Sequence, residues 1–164
     1  MIFIGLGANL PSPRHGGPQA ACEAALDALR RAGLRIKRRS RWYRSAPVPP
    51  SDQPWFINGV AEVATDLSPA DLLALLHRTE RDFGRVRRAR NEPRIIDLDL
   101  LSYGDRVSAA GETPILPHPR LAERAFVVLP LAELAPDWRH PESGLTAAEL
   151  ARCLPPDQAA EPVD

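Results

Sequence analysis

The chain has 164 residues with 21 basic and 21 acidic side chains, so its formal net charge is zero. This balance argues against a protein that binds nucleic acid or an anionic membrane through overall positive charge. A hydrophobic content of 44% is enough for the core of one domain, and no stretch approaches the roughly 18 apolar residues of a membrane span. Cys22 and Cys153 lack metal-binding spacing. We therefore expect both to be reduced structural thiols, which suggests a cytoplasmic setting. Residues 1–5 lack a basic leader, so we expect no secretory signal.

The first half of the chain alternates strand-like and helix-like segments. Residues 1–6 predict a strand, and residues 19–32 predict a helix whose apolar side chains recur every three or four positions before the stop at Gly33. Residues 34–44 predict a second strand that is basic on one side, and residues 55–65 predict a third, after a proline-rich loop.

The second half begins with a helix that has Ser68 as its N-cap, Pro69 at its first position and Gly84 just past its end. A strand, an irregular loop over 107–117 and one or two short helices within 120–133 follow. We therefore predict an α+β fold with the ferredoxin-like order β-α-β-β-α-β. It would have an antiparallel sheet with helices packed on it, long loops and a helical C-terminal part. We expect residues 1–154 to form a single domain and residues 155–164, which are polar and acidic, to be disordered.

Two aspartates within the strand after the second helix are the most informative feature of the chain. Ile96, Leu98 and Leu100 alternate with Asp97 and Asp99, which is the period of a strand. Residues two apart on a strand point to the same side, with Cα atoms roughly 6.5 Å apart. Two converging carboxylates would destabilise a core unless a cation lay between them, and magnesium accepts such ligands. The alternative is a surface strand with one wetted face.

Residues 85–94, directly before this strand, carry five arginines and one acidic residue. Arginines bind phosphates and aspartates bind the accompanying cations, so the combination favours phosphoryl-type transfer from a nucleotide polyphosphate. The alternative is a solvated charged loop, which is what most charge runs are.

Other candidate residues allow two interpretations each. Gly5 and Gly7 predict a tight turn at the end of a strand, because Leu10 replaces the third glycine of a dinucleotide fingerprint. His118, between two prolines, is either structural or part of a phosphate clamp with Arg124. The aromatic residues near a strand amide would suit a flat heterocycle, although core packing is the default for phenylalanine. These residues are Phe56, Asn58 and Phe126.

A non-catalytic RNA-binding module on a ferredoxin-like sheet is the rival interpretation. The basic strand over residues 35–41 and the arginine-rich segment suggest it. The aromatic pattern of RNA-recognition sheets is absent, however, and the net charge is zero.

Several ordered blocks resemble the 6-hydroxymethyl-7,8-dihydropterin pyrophosphokinase family. The resemblance covers residues 1–136 and lies in segments 5–10, 43–48, 52–58, 80–85, 93–101 and 117–127. It implies a ferredoxin-like fold and transfer of pyrophosphate from ATP to the pterin's hydroxymethyl oxygen, with release of AMP, in folate biosynthesis. It also implies two Mg²⁺ ions with ATP as co-substrate. We expect a monomer that binds no nucleic acid and no membrane.

The resemblance also implies roles for individual residues. The catalytic group would comprise Arg85, Arg94, Asp97 and Asp99, and Asp97 and Asp99 would hold the magnesium ions. ATP would contact Leu73, His77, Glu80, Arg87, Arg94, Leu100, Ile115, His118 and Arg124. The pterin would contact Ser45, Ala46, Val48, Phe56, Asn58, Asp97 and Phe126. His77 and Ile115 stand where relatives often have glutamine and threonine, and Asn91 and Glu92 replace an aromatic residue and a glycine.

Overall fold

Six strands and four α-helices make up the part of the chain that the structure, a computed structural model, describes: residues 1–12, 14–84 and 95–163. The strands are β1 (Ile2–Ala8), β2 (Arg35–Arg39), β3 (Tyr43–Ser45), β4 (Phe56–Ala64), β5 (Asp97–Tyr103) and β6 (Ala160–Pro162). The helices are α1 (Pro18–Arg31), α2 (Pro69–Asp82), α3 (Ala125–Leu134) and α4 (Ala147–Arg152), with a 3-10 turn at Leu121–Glu123.

All strands join one antiparallel sheet in the order β5-β1-β4-β3-β6, and β2 also pairs with β4. This arrangement confirms the predicted ferredoxin-like α+β fold. Because side chains alternate along a strand, β1 sends Ile4 and Leu6 to one face of the sheet and Phe3 to the other. The two faces therefore have separate apolar cores.

Helices α1 and α2 cover the first face, where Leu26, Leu29, Leu72 and Leu76 pack with Ile4. The second face is covered by the C-terminal helices. There Phe3, Val60 and Leu101 of the sheet pack against Leu121, Val128, Leu131 and Leu150. Within the described residues, no helix combines the length and the apolar character needed to cross a bilayer.

The predicted ends of the first two helices are close to the observed ones. The Ser68 hydroxyl accepts a hydrogen bond from the Asp71 amide at 3.1 Å, which confirms Ser68 as the N-cap of α2. Helix α1 begins one residue earlier than predicted, at Pro18, and Gly33 follows it with a φ of 99°. Within α1, Cys22 is buried as expected, and burial raises the pKa of its thiol to about 12. Cys153, by contrast, is exposed and does not have the structural role we predicted.

The single strand predicted over residues 34–44 is wrong in one respect, because it is divided into β2 and β3. At the break, the Ser40 amide still donates to the Val60 carbonyl at 2.9 Å, but the Val60 amide donates to the Ser40 hydroxyl at 3.0 Å in place of a backbone carbonyl. The Trp42 side chain is buried against Gly59, where an added Cβ would lie 2.7 Å from the indole ring. The hydropathy pattern of the sequence does not indicate this break between β2 and β3.

The structure also differs from the expectation of a disordered tail. Residues 160–162 form β6 on the outer edge of β3, and the Val163 amide donates to the Trp42 carbonyl at 2.8 Å. An unpaired strand edge offers backbone donors and acceptors whatever the hydropathy of the segment that binds it. Composition alone therefore could not indicate this pairing.

Candidate active site

A pocket opens on the second face of the sheet, where β1, β4 and β5 meet the start of α3 and the loop after β3. It brings together most of the residues that were predicted to bind the pterin or the metal. Its lining residues are Gly5, Leu6, Gly7, Ala46, Pro47, Val48, Pro49, Gln53, Phe56, Asn58, Gly59, Asp97, Asp99, Arg124, Phe126 and Val127.

The floor of the pocket depends on two glycines, Gly5 and Gly7. Gly5 lies within the predicted strand, but the turn predicted to end that strand is wrong at Gly7, because β1 continues to Ala8. Gly7 pairs with Asn58 on one side and Asp97 on the other, and Gly5 pairs with Asp99. A Cβ on Gly7 would lie 2.7 Å from the Asn58 Oδ1 atom. The missing side chains thus leave room for a ligand between the polar groups of β4 and β5.

Asp97 and Asp99 lie on one face of β5, as the alternation predicted. Their side chains are partly exposed at the pocket, whereas Leu98 and Leu100 are buried in the first core. The Leu98 amide between them donates to a carboxylate oxygen of the buried Glu80 at 2.8 Å. This bond ties the outer edge of β5 to α2 and fixes the strand segment that carries both aspartates.

Two aromatic side chains and one amide define the remaining walls. Phe56 begins β4, and Asn58 follows two residues later on the same face. Phe126 lies in the first turn of α3 and is half-buried. The Asn58 Nδ2 atom donates to the Ser45 hydroxyl at 2.6 Å, and both residues are buried. Ser45 therefore lies behind the pocket and fixes the orientation of the Asn58 amide, while Ala46 and Val48 reach the pocket itself.

Arg124, the residue that precedes α3, brings a positive charge to the pocket. The Arg124 guanidinium lies 5.4 Å from the centre of the Phe126 ring, a cation–π arrangement. Its charge is also felt at His118, whose Nδ1 atom accepts the Arg120 amide at 3.2 Å. The pKa of His118 is lowered to about 4, mainly by burial and also by the charges of Arg124 and Arg120, while Asp97 acts in the opposite direction. At neutral pH the imidazole is therefore uncharged, with its proton on Nε2.

The lowered pKa of His118 predicts a stability change at acidic pH. Its folded pKa lies below the ordinary value of 6.5, so protonation favours the unfolded chain and stability falls as the pH drops from 6.5 towards 4. We expect the free energy of unfolding to decrease by about 1 to 2 kcal/mol between pH 7 and pH 5 from this group. Urea denaturation at both values would measure it, and His118→Gln should reduce the loss. Burial also lowers the pKa of His140, so the free energy of unfolding of the His118→Gln variant should still depend on pH to some extent. An equal loss of unfolding free energy between pH 7 and pH 5 in the unaltered protein and in His118→Gln would contradict the lowered pKa of His118.

The residues predicted to surround adenosine do not line this pocket. Glu80 and Leu100 are buried, at 2% and 4% exposure, so they offer little side-chain surface to a ligand. Leu73 and His77 are partly exposed on α2, and Ile115 is 60% exposed in the loop before the 3-10 turn. Arg85, Arg87 and Arg94 lie outside the described residues.

The sequence reasoning overlooked several residues of the pocket. Gly5 and Gly7 were missed because we judged them by glycine motifs rather than by their spacing. Two glycines at alternate positions of one strand open a gap on a single face, which is a signal present in the sequence. Gln53 gave no such signal. Its carboxamide oxygen accepts from the Asn9 Nδ2 atom at 3.0 Å, a contact between residues 44 positions apart.

Comparison of the sequence with known proteins shows its family. Residues 3–136 match the family described as 7,8-dihydro-6-hydroxymethylpterin-pyrophosphokinase. A Synechocystis protein named 2-amino-4-hydroxy-6-hydroxymethyldihydropteridine pyrophosphokinase is 43% identical over 90% of this chain and 72% of its own length. A Pseudomonas aeruginosa protein of the same name is 42% identical over 93% of this chain and 91% of its own. The mitochondrial folate synthesis bifunctional protein of Arabidopsis thaliana is 39% identical over 81% of this chain but only 23% of its own length. The RNA-binding alternative finds no support in these similarities.

Proposed function

Because this chain belongs to the 7,8-dihydro-6-hydroxymethylpterin-pyrophosphokinase family and is a pyrophosphokinase, we propose that the pocket beside Asp97 and Asp99 is its active site. The reaction is the transfer of a pyrophosphoryl group from ATP to the hydroxymethyl oxygen of 6-hydroxymethyl-7,8-dihydropterin, with release of AMP, in folate synthesis. One observation carries the assignment. The pocket combines a pair of carboxylates with two aromatic rings and a fixed amide.

The apolar part of the pocket suits the pterin. Phe56 and Phe126 would stack against the flat heterocycle, and Asn58 would bind its polar edge. An amide that recognises a ligand edge must be held in one position, and the 2.6 Å hydrogen bond between Asn58 and the Ser45 hydroxyl supplies that restraint. The Ala46 carbonyl and backbone groups of Val48 would complete the hydrogen bonds to the ring.

The acidic side of the pocket suits magnesium bound to a polyphosphate. In the part of the chain that the structure describes, no group of three or more histidine, cysteine or acidic side chains gathers as a metal site. Two carboxylate oxygens on one strand face, with the remaining positions left to water and phosphate, is the donor set that magnesium prefers. Asp97 and Asp99 would hold the two ions, which when bound neutralise the charge of the triphosphate.

The basic residues would bind the phosphates. Arg124 lines the pocket together with both aspartates and lies beside the Phe126 ring, so it is suited to a phosphate oxygen next to the pterin. We retain His118 as a neutral donor through Nε2, and Arg85, Arg87 and Arg94 as further phosphate ligands on the strength of the resemblance. The adenosine contacts of Leu73, His77, Glu80, Leu100 and Ile115 rest on the same resemblance.

These groups would act mainly by positioning and charge neutralisation. The hydroxymethyl oxygen attacks the β-phosphorus, a new P–O bond forms, and the bond from the β-phosphorus to the bridging oxygen breaks, so that this oxygen leaves with AMP. The hydroxyl proton is released to water. The stacked pterin and the fixed Asn58 amide would hold the attacking oxygen in line, which removes much of the entropic part of the barrier. The arginine would stabilise negative charge on the transferred group.

An AMP-release assay tests the proposed function. With ATP, Mg²⁺ and the hydroxymethyl pterin, the protein should release AMP and form the pterin diphosphate. A pterin with a methyl group in place of the hydroxymethyl group is the matched control, because it can stack but offers no attacking oxygen. AMP release that does not require the hydroxymethyl pterin would contradict the proposal.

Gly7→Ala should weaken pterin binding by filling the floor of the pocket. The new Cβ would lie 2.7 Å from the Asn58 Oδ1 atom, so the amide must shift from its Ser45 partner or the strands must separate. We expect a loss of about 1 to 2 kcal/mol in pterin affinity, read as an increase of roughly tenfold in KM. Gly5→Ala is the matched comparison, because it adds a methyl group to the same floor but meets Leu101 at an ordinary 3.5 Å and leaves the Asn58 amide in place. A smaller effect is therefore expected at Gly5, and the difference measures the displacement of the amide. An equal or larger effect at Gly5 would argue against the role of Gly7.

A further inference from the structure

The C-terminal segment 158–163 contacts both walls of the pocket. On one side, β6 pairs with β3 so that Ala160 lies opposite Ser45, and the Ala46 amide donates to the Ala159 carbonyl at 3.1 Å. On the other side, the Gln158 carboxamide accepts the Ala125 amide at 2.8 Å and donates to the Glu123 carbonyl at 2.7 Å. The Ser45–Asn58 wall and the Phe126 wall of the pocket are thus joined through a few residues of the C-terminal segment.

The Gln158 contact falls at the start of α3, where restraint matters most. The first amides of a helix have no partner within the helix, and no side chain of the N-cap residue Arg124 binds them. Gln158 supplies a partner from 33 positions away. The residues on either side of the bonded Ala125 amide are Arg124 and Phe126, which both line the pocket.

We propose that Gln158 is a positioning residue that sets the distance between the Phe126 wall and the Ser45–Asn58 wall of the pterin pocket. This inference rests on the proposed function, since it takes the pocket to be the pterin site. Gln158 does not line the pocket and acts through the Glu123–Ala125 backbone. It lies beyond residues 3–136, which match the family, so the family match does not specify it.

Three substitutions separate this role from general stability. Gln158→Leu removes both hydrogen bonds at similar size, whereas Gln158→Glu keeps an acceptor for the Ala125 amide and loses the donor to Glu123. Glu161→Gln is the matched control on the same tail segment. It breaks the ion pair with Arg44, in which both side chains are more than half exposed, and such pairs contribute little.

The variants are compared as full-length proteins by KM for pterin, KM for ATP, kcat, and hydrogen exchange at the Ala125 amide. Gln158→Leu should raise the pterin KM about fivefold, with kcat and the ATP KM within about twofold, and should speed exchange at Ala125. Gln158→Glu should recover most of the pterin KM, and Glu161→Gln should behave like the unaltered protein. This pattern differs from that of a structural defect, which lowers the active fraction and therefore kcat without changing KM.

A pterin KM within twofold of the unaltered protein in Gln158→Leu would overturn the inference, as would a loss confined to kcat. Failure of the proposed function gives a different result in the same experiment. In that case the unaltered protein itself would release no pterin-dependent AMP, whatever the behaviour of the variants.

Discussion

Replacing Asp97 or Asp99 with alanine should lower turnover by about two orders of magnitude or more, because each removes a carboxylate needed to hold the cations on the polyphosphate. The fold should persist, since both side chains are partly exposed at the pocket and outside the two apolar cores. Turnover measured against magnesium concentration would show the loss as a weaker response to the ion. Circular dichroism would verify the fold.

The turn that follows this strand offers a matched control for this experiment. Asp105 is an exposed carboxylate in the turn after β5 and does not line the pocket, so Asp105→Ala should keep full activity. Near-full activity of Asp97→Ala or Asp99→Ala at ordinary magnesium concentrations would show that the two-metal assignment is wrong.

Phe126→Ala should weaken pterin binding far more than ATP binding, by about 1 to 3 kcal/mol, because it removes one stacking surface for the heterocycle. The half-buried ring also contacts the second core, so a modest fall in melting temperature is expected as well. Calorimetry with each ligand separately, with a non-hydrolysable analogue in place of ATP, would measure the two affinities.

Phe126→Leu separates stacking from volume, since leucine keeps apolar contact with the core but has no π face. We expect its melting temperature to be close to that of the unaltered protein and its pterin affinity to be reduced. If Phe126→Ala weakened both ligands equally and lowered the melting temperature strongly, Phe126 would be a core residue and not part of the pterin site.

Periodic features of the sequence predicted most of the sheet, the first two helices and the position of the aspartates. The alternation around Asp97 and Asp99 fixed their common face because the strand period of two has no competing interpretation there. Ser68 and Pro69 were equally informative, since N-cap chemistry is local to a few residues. Alternation and N-cap residues predict structure reliably because the residues that give the signal belong to the same strand or helix that they specify.

Contacts between distant segments could not be predicted in this way. The bond from Gln158 to the start of α3 and the pairing of β6 with β3 depend on backbone groups that any sequence carries. The Asn58–Ser45 bond joins two strands whose register the sequence does not state. The roles of residues near the phosphates were predicted from the family resemblance. Three of these residues lie outside the described part of the chain: Arg85, Arg87 and Arg94.

The contrast between the two cysteines makes this protein suitable for site-specific labelling without mutagenesis. Thiol-reactive dyes attack the thiolate, and Cys22 is fully buried with a pKa of about 12, so it stays unmodified in the folded protein. Cys153 is exposed and is the only other cysteine of the chain. A maleimide fluorophore therefore attaches at one site, five residues before Gln158. Its emission gives a direct optical signal from the end of the chain while substrates bind.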